Sequence, residues 1–168
     1  NALFRQPTLA ALRDTARSDE AELLAQANEI NFVRMDGDIG LVVNGAGLGL
    51  ATHDMVIEAG GRPANFMDIR TMATADQIAT GIGLLLDDLG VRALLVNVHG
   101  GGMTTCDRIS DALAIAMTGR ANPIPVIFRV AGQNADEARA AAQALDIPCT
   151  IPENMTEAVR RAVAETER

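Results

Sequence analysis

The chain has 168 residues, 48% of them hydrophobic and 21% charged, with a formal net charge of −8. That length and composition suit one globular domain with a sizeable core, and the negative balance argues against nonspecific binding to nucleic acid or to an anionic membrane surface. All fourteen basic side chains are arginine, which removes a phosphate-loop lysine, a Schiff-base lysine and a lysine general base together.

Tyr and Trp are absent, so a base-stacking surface is excluded in practice. Ser18 and Ser110 are the only serines, and neither sits in a nucleophile-elbow pattern. Cys106 and Cys149 lie far apart in no CxxC motif, and no signal-peptide pattern is present, which fits a reducing cytoplasm. No apolar run approaches membrane-spanning length.

In chain order, Leu9, Leu12, Leu23 and Leu24 mark helical segments with an acidic middle at Asp19, Glu20 and Glu22. The stretch INFVRMDGDIGLVV follows, two apolar runs around Asp36-Gly37, and predicts a hairpin. From there strands and helices alternate. IGLVV leads to a helix with Leu48, Ala51, Met55 and Ala59 on one face, and ANFMDI to a helix carrying Ile78, Ile82, Leu85, Leu86 and Leu89. ALLVNV precedes a helix with Ile109, Ala112, Leu113, Ala116 and Met117. PVIFRV precedes one with Ala138, Ala141, Ala142 and Leu145, and PCTI one with Met155, Val159 and Val163.

Near-continuous apolar strands in five βα units mean a parallel sheet covered on both faces. The expected fold is therefore α/β: a flavodoxin-like, doubly wound parallel sheet of about five strands, with an N-terminal helical arm and a hairpin.

Ligands of such sheets bind beyond the carboxyl ends of the strands. Three strand exits carry chemistry-bearing residues. Asn44 ends a strand, and Gly45, Gly47 and Gly49 open a helix in a spacing that is not the dinucleotide fingerprint. Exposed N–H groups there suit a carboxylate or phosphate, although a tight turn explains the same pattern. At the second exit, VNVHGGGMTTCDR places Gly100, Thr104 and Thr105 at an anion-facing helix start or, equally, in a plain capped turn. Asp107 weighs against the anion, since a first-turn carboxylate already occupies the positive end of the helix dipole; three consecutive glycines weigh for it. At the third exit, Asp68 ends a strand and Arg70 follows in the loop, as an anion contact or an ordinary surface arginine. His53 and His99 have no metal-ligand spacing, and no metal site is assigned. Cys106 reads as a small buried apolar residue.

Three segments together carry a family resemblance: DGDIGLVVNGAGLGLATHDMVIEAGGRPANFMDI, VRALLVNVHGGGMTTCDRISDALA and VAGQNADEARA. They resemble the C-terminal domain of the succinyl-CoA synthetase β subunit and of related ATP-dependent acyl-CoA ligases, from about Phe4 to the C-terminus. The resemblance implies a helical arm over residues 1–30 and a flavodoxin-like (Rossmann-like) CoA-ligase domain over 31–168, normally preceded by an ATP-grasp domain that this chain lacks. It implies a cytoplasmic acid–thiol ligase of the tricarboxylic acid cycle type. The partner would be a CoA-binding α subunit carrying a phosphohistidine, and the substrate a small carboxylic acid. ATP or GTP with Mg2+ and CoA would serve the complete enzyme; none would be held tightly by this domain, which alone would be inactive. Substrate contacts map onto Asn44, Gly101, Gly102 and Met103, and no catalytic residue is assigned within the chain.

Two loops depart from the family pattern. The usual FGGI.RCD is HGGGMTTCD here, and the usual GGGAT is RTMAT, with Arg70 and Thr71 replacing glycines. His99 stands where the family has phenylalanine and is not its phosphohistidine. These loops motivate the alternative expectation of a binding or assembly module that kept the fold and lost the ligase activity.

Overall fold

The computed structural model describes residues 19–121 and 123–167. The segment with Leu9 and Leu12 lies outside the described residues, and the described part of the expected arm is α1 (Glu20–Ala27), capped by the Asp19 carboxylate on the N–H groups of Ala21 and Glu22. The rest comprises β1 (Asn31–Arg34), β2 (Ile39–Asn44), α2 (Ala46–Glu58), β3 (Asn65–Ile69), α3 (Ala75–Asp87) and β4 (Ala93–Gly100). Then come α4 (Cys106–Met117), β5 (Val126–Gly132), α5 (Ala135–Gln143), β6 (Cys149–Thr150) and α6 (Met155–Thr166).

The six strands form one sheet in the order β1-β3-β2-β4-β5-β6. Strands β2 to β6 are parallel and give the flavodoxin-like order expected from the sequence; β1 adds an antiparallel edge on β3. The chain's crossovers change direction between β2 and β4, which makes this pair the topological switch point.

The core explains the strand patterns. On one side, Val42, Leu94, Val96, Val98 and Phe128 are buried under α3, α4 and α5, with Ile82, Ile109 and Leu113 facing them. On the other, Ile39, Leu41, Leu95 and Ile127 are buried with Val56 of α2 and Val159 and Ala162 of α6. Two-sided burial is why these strands read as continuous apolar runs, and each fully buried Leu, Ile or Phe contributes about 1.5–3 kcal/mol.

The expected hairpin at Asp36-Gly37 is not formed. β3 lies between β1 and β2, and β1 pairs with β3 from Asn31↔Asp68 to Arg34↔Asn65. Beyond β1, the Met35 N–H donates to the Ala64 carbonyl, and the N–H groups of Asp38 and Ile39 donate to that of Arg62. The Asp-Gly pair lets the chain step across this strand instead of folding back. Gly37 passes so close that a Cβ would lie 2.1 Å from the Pro63 carbonyl oxygen. The physical reason is burial: β2 is almost wholly buried and takes an interior position, whereas the largely exposed β1 tolerates an edge.

Two helix faces also differ from expectation. α2 buries Gly49, Thr52 and Val56, with Leu48 and Met55 on its flank and Ala51 and Ala59 exposed. Leu89 lies beyond the end of α3 and is fully exposed. Hydrophobicity alone misplaces the α2 face because a glycine and a threonine make its closest contacts with the sheet.

Candidate functional site

At the switch point the carboxyl ends of β2 and β4 are held together by one side chain. The Asn44 amide nitrogen donates to the His99 carbonyl oxygen at 2.7 Å, and the His99 N–H donates to Asn44 Oδ1 at 2.8 Å. The amide thus extends the β2–β4 ladder where the two chains diverge toward opposite faces of the sheet. One residue on, the Gly45 N–H donates to Asp68 Oδ1 at 2.6 Å, which ties the turn to β3. Gly45 holds φ of 84°, in the left-handed region that favours glycine.

No side chain of α2 caps its first-turn N–H groups and no acidic residue lies in that turn, but the Asp68 carboxylate already stands at the helix start through the N–H of N-cap Gly45. α4 differs. Asp107 sits in its first turn, and hydrogen bonds from Thr105 and then Asn134 hold its carboxyl below the ordinary range. The positive end of α4 therefore already has an anion.

The glycine loop joining β4 to α4 is a closed turn. The Gly101 N–H donates to the Thr104 carbonyl at 2.9 Å, and the Thr104 N–H returns to Gly101 at 3.3 Å, with Gly102 and Met103 at the tip. Gly102 has φ of 61°, and Met103 is more than half exposed. Gly100 is packed inward: a Cβ would lie 2.6 Å from the Gln133 carbonyl oxygen and 2.7 Å from Cys106 Sγ. Between this loop and the β3–α3 loop is a cleft of ≈ 440 Å³, with Met72, Met103, Thr105, Arg108 and Asp111 among its walls. A hollow of ≈ 480 Å³ between α1, β1 and the far end of α3 lies away from the carboxyl ends, and its Arg34 is paired with Asp19 and Asp88.

A family profile described as CoA-ligase matches residues 42–163. The chain belongs to the CoA-ligase family. The β subunit of an ADP-forming succinate–CoA ligase from Vibrio campbellii is 39% identical over 167 residues, covering 99% of this chain and 43% of the relative. The corresponding subunit of Glaesserella parasuis is 41% identical over 166 residues, covering 96% of this chain and 42% of its own. ATP citrate lyase from Methanothrix soehngenii, solved with citrate and coenzyme A, shares the fold at a TM-score of 0.69 and 18% identity, over 88% of this chain and 43% of that one. This CoA-ligase chain thus spans less than half the length of these relatives.

Within the CoA-ligase fold, Asn44 ends β2 against His99, and Gly101, Gly102 and Met103 lie in the loop that leaves β4; of the four, Met103 lines the cleft. Of the three residues expected to line an anion-facing helix start, two are drawn into the fold. Thr104 is buried and its hydroxyl donates to the Thr71 carbonyl, while Gly100 fills the close approach to Gln133 and Cys106. Thr105 stands at the N-cap of α4 without a capping hydrogen bond. Arg70 turns back to Glu29, donating to its carbonyl at 3.1 Å and pairing with its carboxylate at 3.5 Å. His99 is exposed. Cys106 is buried, and burial pushes its thiol up; burial likewise takes Cys149 up to about 11, so neither is a ready thiolate near neutral pH. Among the described residues no group of three or more His, Cys, Asp or Glu is placed to hold a metal ion.

Sequence reasoning missed the polar residues inside the apolar strands. Asn65 is buried and exchanges two hydrogen bonds with the Leu41 backbone, at 2.7 and 2.9 Å. Asn97 is buried and bonded to Thr52 and Arg129. The available signal was an asparagine interrupting an apolar run, as in VNV.

Proposed function

We propose that this chain is the C-terminal domain of the β subunit of a nucleotide-dependent acid–CoA ligase, acting with a CoA-binding subunit that carries a phosphohistidine. In this reading the α2 start and the Gly101–Met103 tip face the phosphorylated histidine and a small carboxylic acid. ATP or GTP, Mg2+ and CoA are bound by the complete enzyme, and the isolated chain is inactive.

The observation that carries the reading is the presence of glycines the fold does not require. Gly45 and Gly102 serve turn geometry, and Gly100 and Gly49 fill close contacts. Gly47 and Gly101 do neither: a Cβ on either would meet nothing within 4 Å. Gly47 also stands in the first turn of a helix, where glycine costs up to about 1 kcal/mol relative to alanine. Both flank the switch point, where α/β sheets bind ligands, and both leave room for something outside the chain. The first-turn N–H groups of α2, which no side chain caps, suit a phosphate or carboxylate.

The test is Gly47→Ala and Gly101→Ala in the full-length β subunit assembled with its partner. Both variants are expected to fold with unchanged or slightly raised stability while acid-dependent CoA thioester formation falls at least about tenfold. Full activity in both variants would remove the ligand-facing role. A wild-type complex that forms no thioester with any common dicarboxylate would favour the assembly-module alternative.

A further inference from the structure

On the α2/α6 side of the sheet, the apolar ladder of Leu41, Leu95 and Ile127 turns polar toward the carboxyl ends. Asn97 and Arg129 are register partners there, and His99 follows two residues after Asn97 on the same face by strand alternation. Arg129 Nη1 donates to Asn97 Oδ1 at 3.1 Å, the Asn97 amide donates to Thr52 Oγ1 at 2.8 Å, and the Thr52 hydroxyl donates to the Leu48 carbonyl at 2.7 Å. This relay ties β5 and β4 to the first turns of α2.

The relay leaves the guanidinium incomplete. Nε of Arg129 is buried with no acceptor, and no carboxylate pairs with this arginine among the described residues. Arg34, Arg62, Arg70, Arg120, Arg139 and Arg161, by contrast, each pair with an acidic side chain. A guanidinium does not neutralise itself by losing a proton, so a part-buried and unpaired one is costly unless an anion joins it. The chain also places this cation at the end of the sheet where α2 and α6 begin. The first-turn N–H groups of α2 carry no side-chain cap there, although the Asp68 carboxylate accepts from the Gly45 N–H, and Glu157 of α6 is engaged by Arg161.

We propose that Arg129 and His99 form an oxyanion-binding position on the α2/α6 side of the switch point, taking the phosphate or carboxylate group of a small free dianion. The guanidinium supplies charge-assisted N–H donors, and exposed His99 lies on the same face of the sheet, two residues beyond the register partner of Arg129. The position is separate from the glycine-loop tip on β4–α4 and stands whether or not the chain works within a ligase.

The experiment titrates the 168-residue chain with inorganic phosphate and, separately, with malonate at matched ionic strength, following the side-chain Nε–H NMR signal of Arg129 and thermal unfolding. A saturable response to either anion is expected, and the anion that binds identifies the ligand class. Arg129→Gln is expected to weaken binding about tenfold or more, while Arg129→Lys and His99→Gln weaken it less. Gly101→Ala is expected to leave it unchanged. No saturable response in the wild type overturns the site, as does an equal response in Arg129→Gln. If Arg129→Gln does not fold, unchanged binding in both Arg129→Lys and His99→Gln overturns it. Binding lost in Gly101→Ala but retained in Arg129→Gln places the anion on the glycine loop and refutes the proposal in the same way.

Discussion

Replacing Asn44 by alanine tests whether its amide is structural before any substrate is considered. The side chain makes two hydrogen bonds of 2.7 and 2.8 Å to the backbone of one residue, His99, across the switch point. Each such neutral bond is worth about 0.5–1.5 kcal/mol net, and a backbone group left unpaired in a buried setting costs more. Asn44 is half-buried, so water replaces part of what is lost. The expected cost is therefore about 2 kcal/mol, or a fall of roughly 4–8 °C in Tm for a chain of this size. With no Trp or Tyr to report by fluorescence, urea unfolding is followed by far-ultraviolet circular dichroism. Asn44→Asp sharpens the test. Its carboxylate accepts from the His99 N–H but faces the His99 carbonyl, which raises its folded-state pKa. A raised pKa stabilises below the unfolded value and is lost as pH rises, so the deficit of Asn44→Asp is expected to shrink on acidification from neutral pH toward pH about 4. Unfolding of Asn44→Ala at the wild-type urea midpoint would refute the structural role and return the amide to the ligand.

Asn65→Ala is expected to be the more damaging substitution, at about 3–4 kcal/mol by urea unfolding, because it strands both the N–H and the carbonyl of buried Leu41 with no route for water. A loss below about 1 kcal/mol would show that β2 and β3 close the gap themselves. Asp107 has a lowered folded-state pKa, so it stabilises the fold fully above its unfolded value near 4 and loses that contribution as pH falls through the lower, folded value. The stability difference between wild type and Asp107→Asn, measured by unfolding across acidic pH, is expected to shrink below pH about 4; a pH-independent difference would contradict this.

The parallel core was legible because burial on both faces leaves a plain signal. ALLVNV and PVIFRV read as interior strands and are buried in β4 and β5. What failed was order in space. Asp36-Gly37 carries a strong local hairpin signal, but β1 is largely exposed, and the apolar β2 lies inside the sheet with β3 between them. Local turn chemistry does not encode which strand is inserted between two others. The glycine loop was half legible. Its position at a strand exit was plain, but the sequence could not tell that Gly100 avoids Cys106, that Gly102 turns the chain, and that Gly101 is left over.

The buried asparagines show why polar residues appear in strands that otherwise demand apolar ones. β2 and β3 pair near their carboxyl ends, at Val43↔Asp68 and Asn44↔Ile69, and Ile39 at the start of β2 bridges to Pro63 just before β3. Between these points the Asn65 amide supplies one donor and one acceptor to Leu41 and so stands in for the interrupted ladder. Asn44 does the same for His99 at the top of the β2–β4 seam. A primary amide side chain has the donor and acceptor of a peptide group on a short tether, so it bridges strands that twist apart without leaving a backbone group unpaired. The consequence for function lies at the switch point. By holding β2 and β4 together where the chain leaves for opposite faces, the Asn44 clamp sets the spacing between the start of α2 and the glycine loop. A ligand that must reach both depends on Asn44 even without touching it.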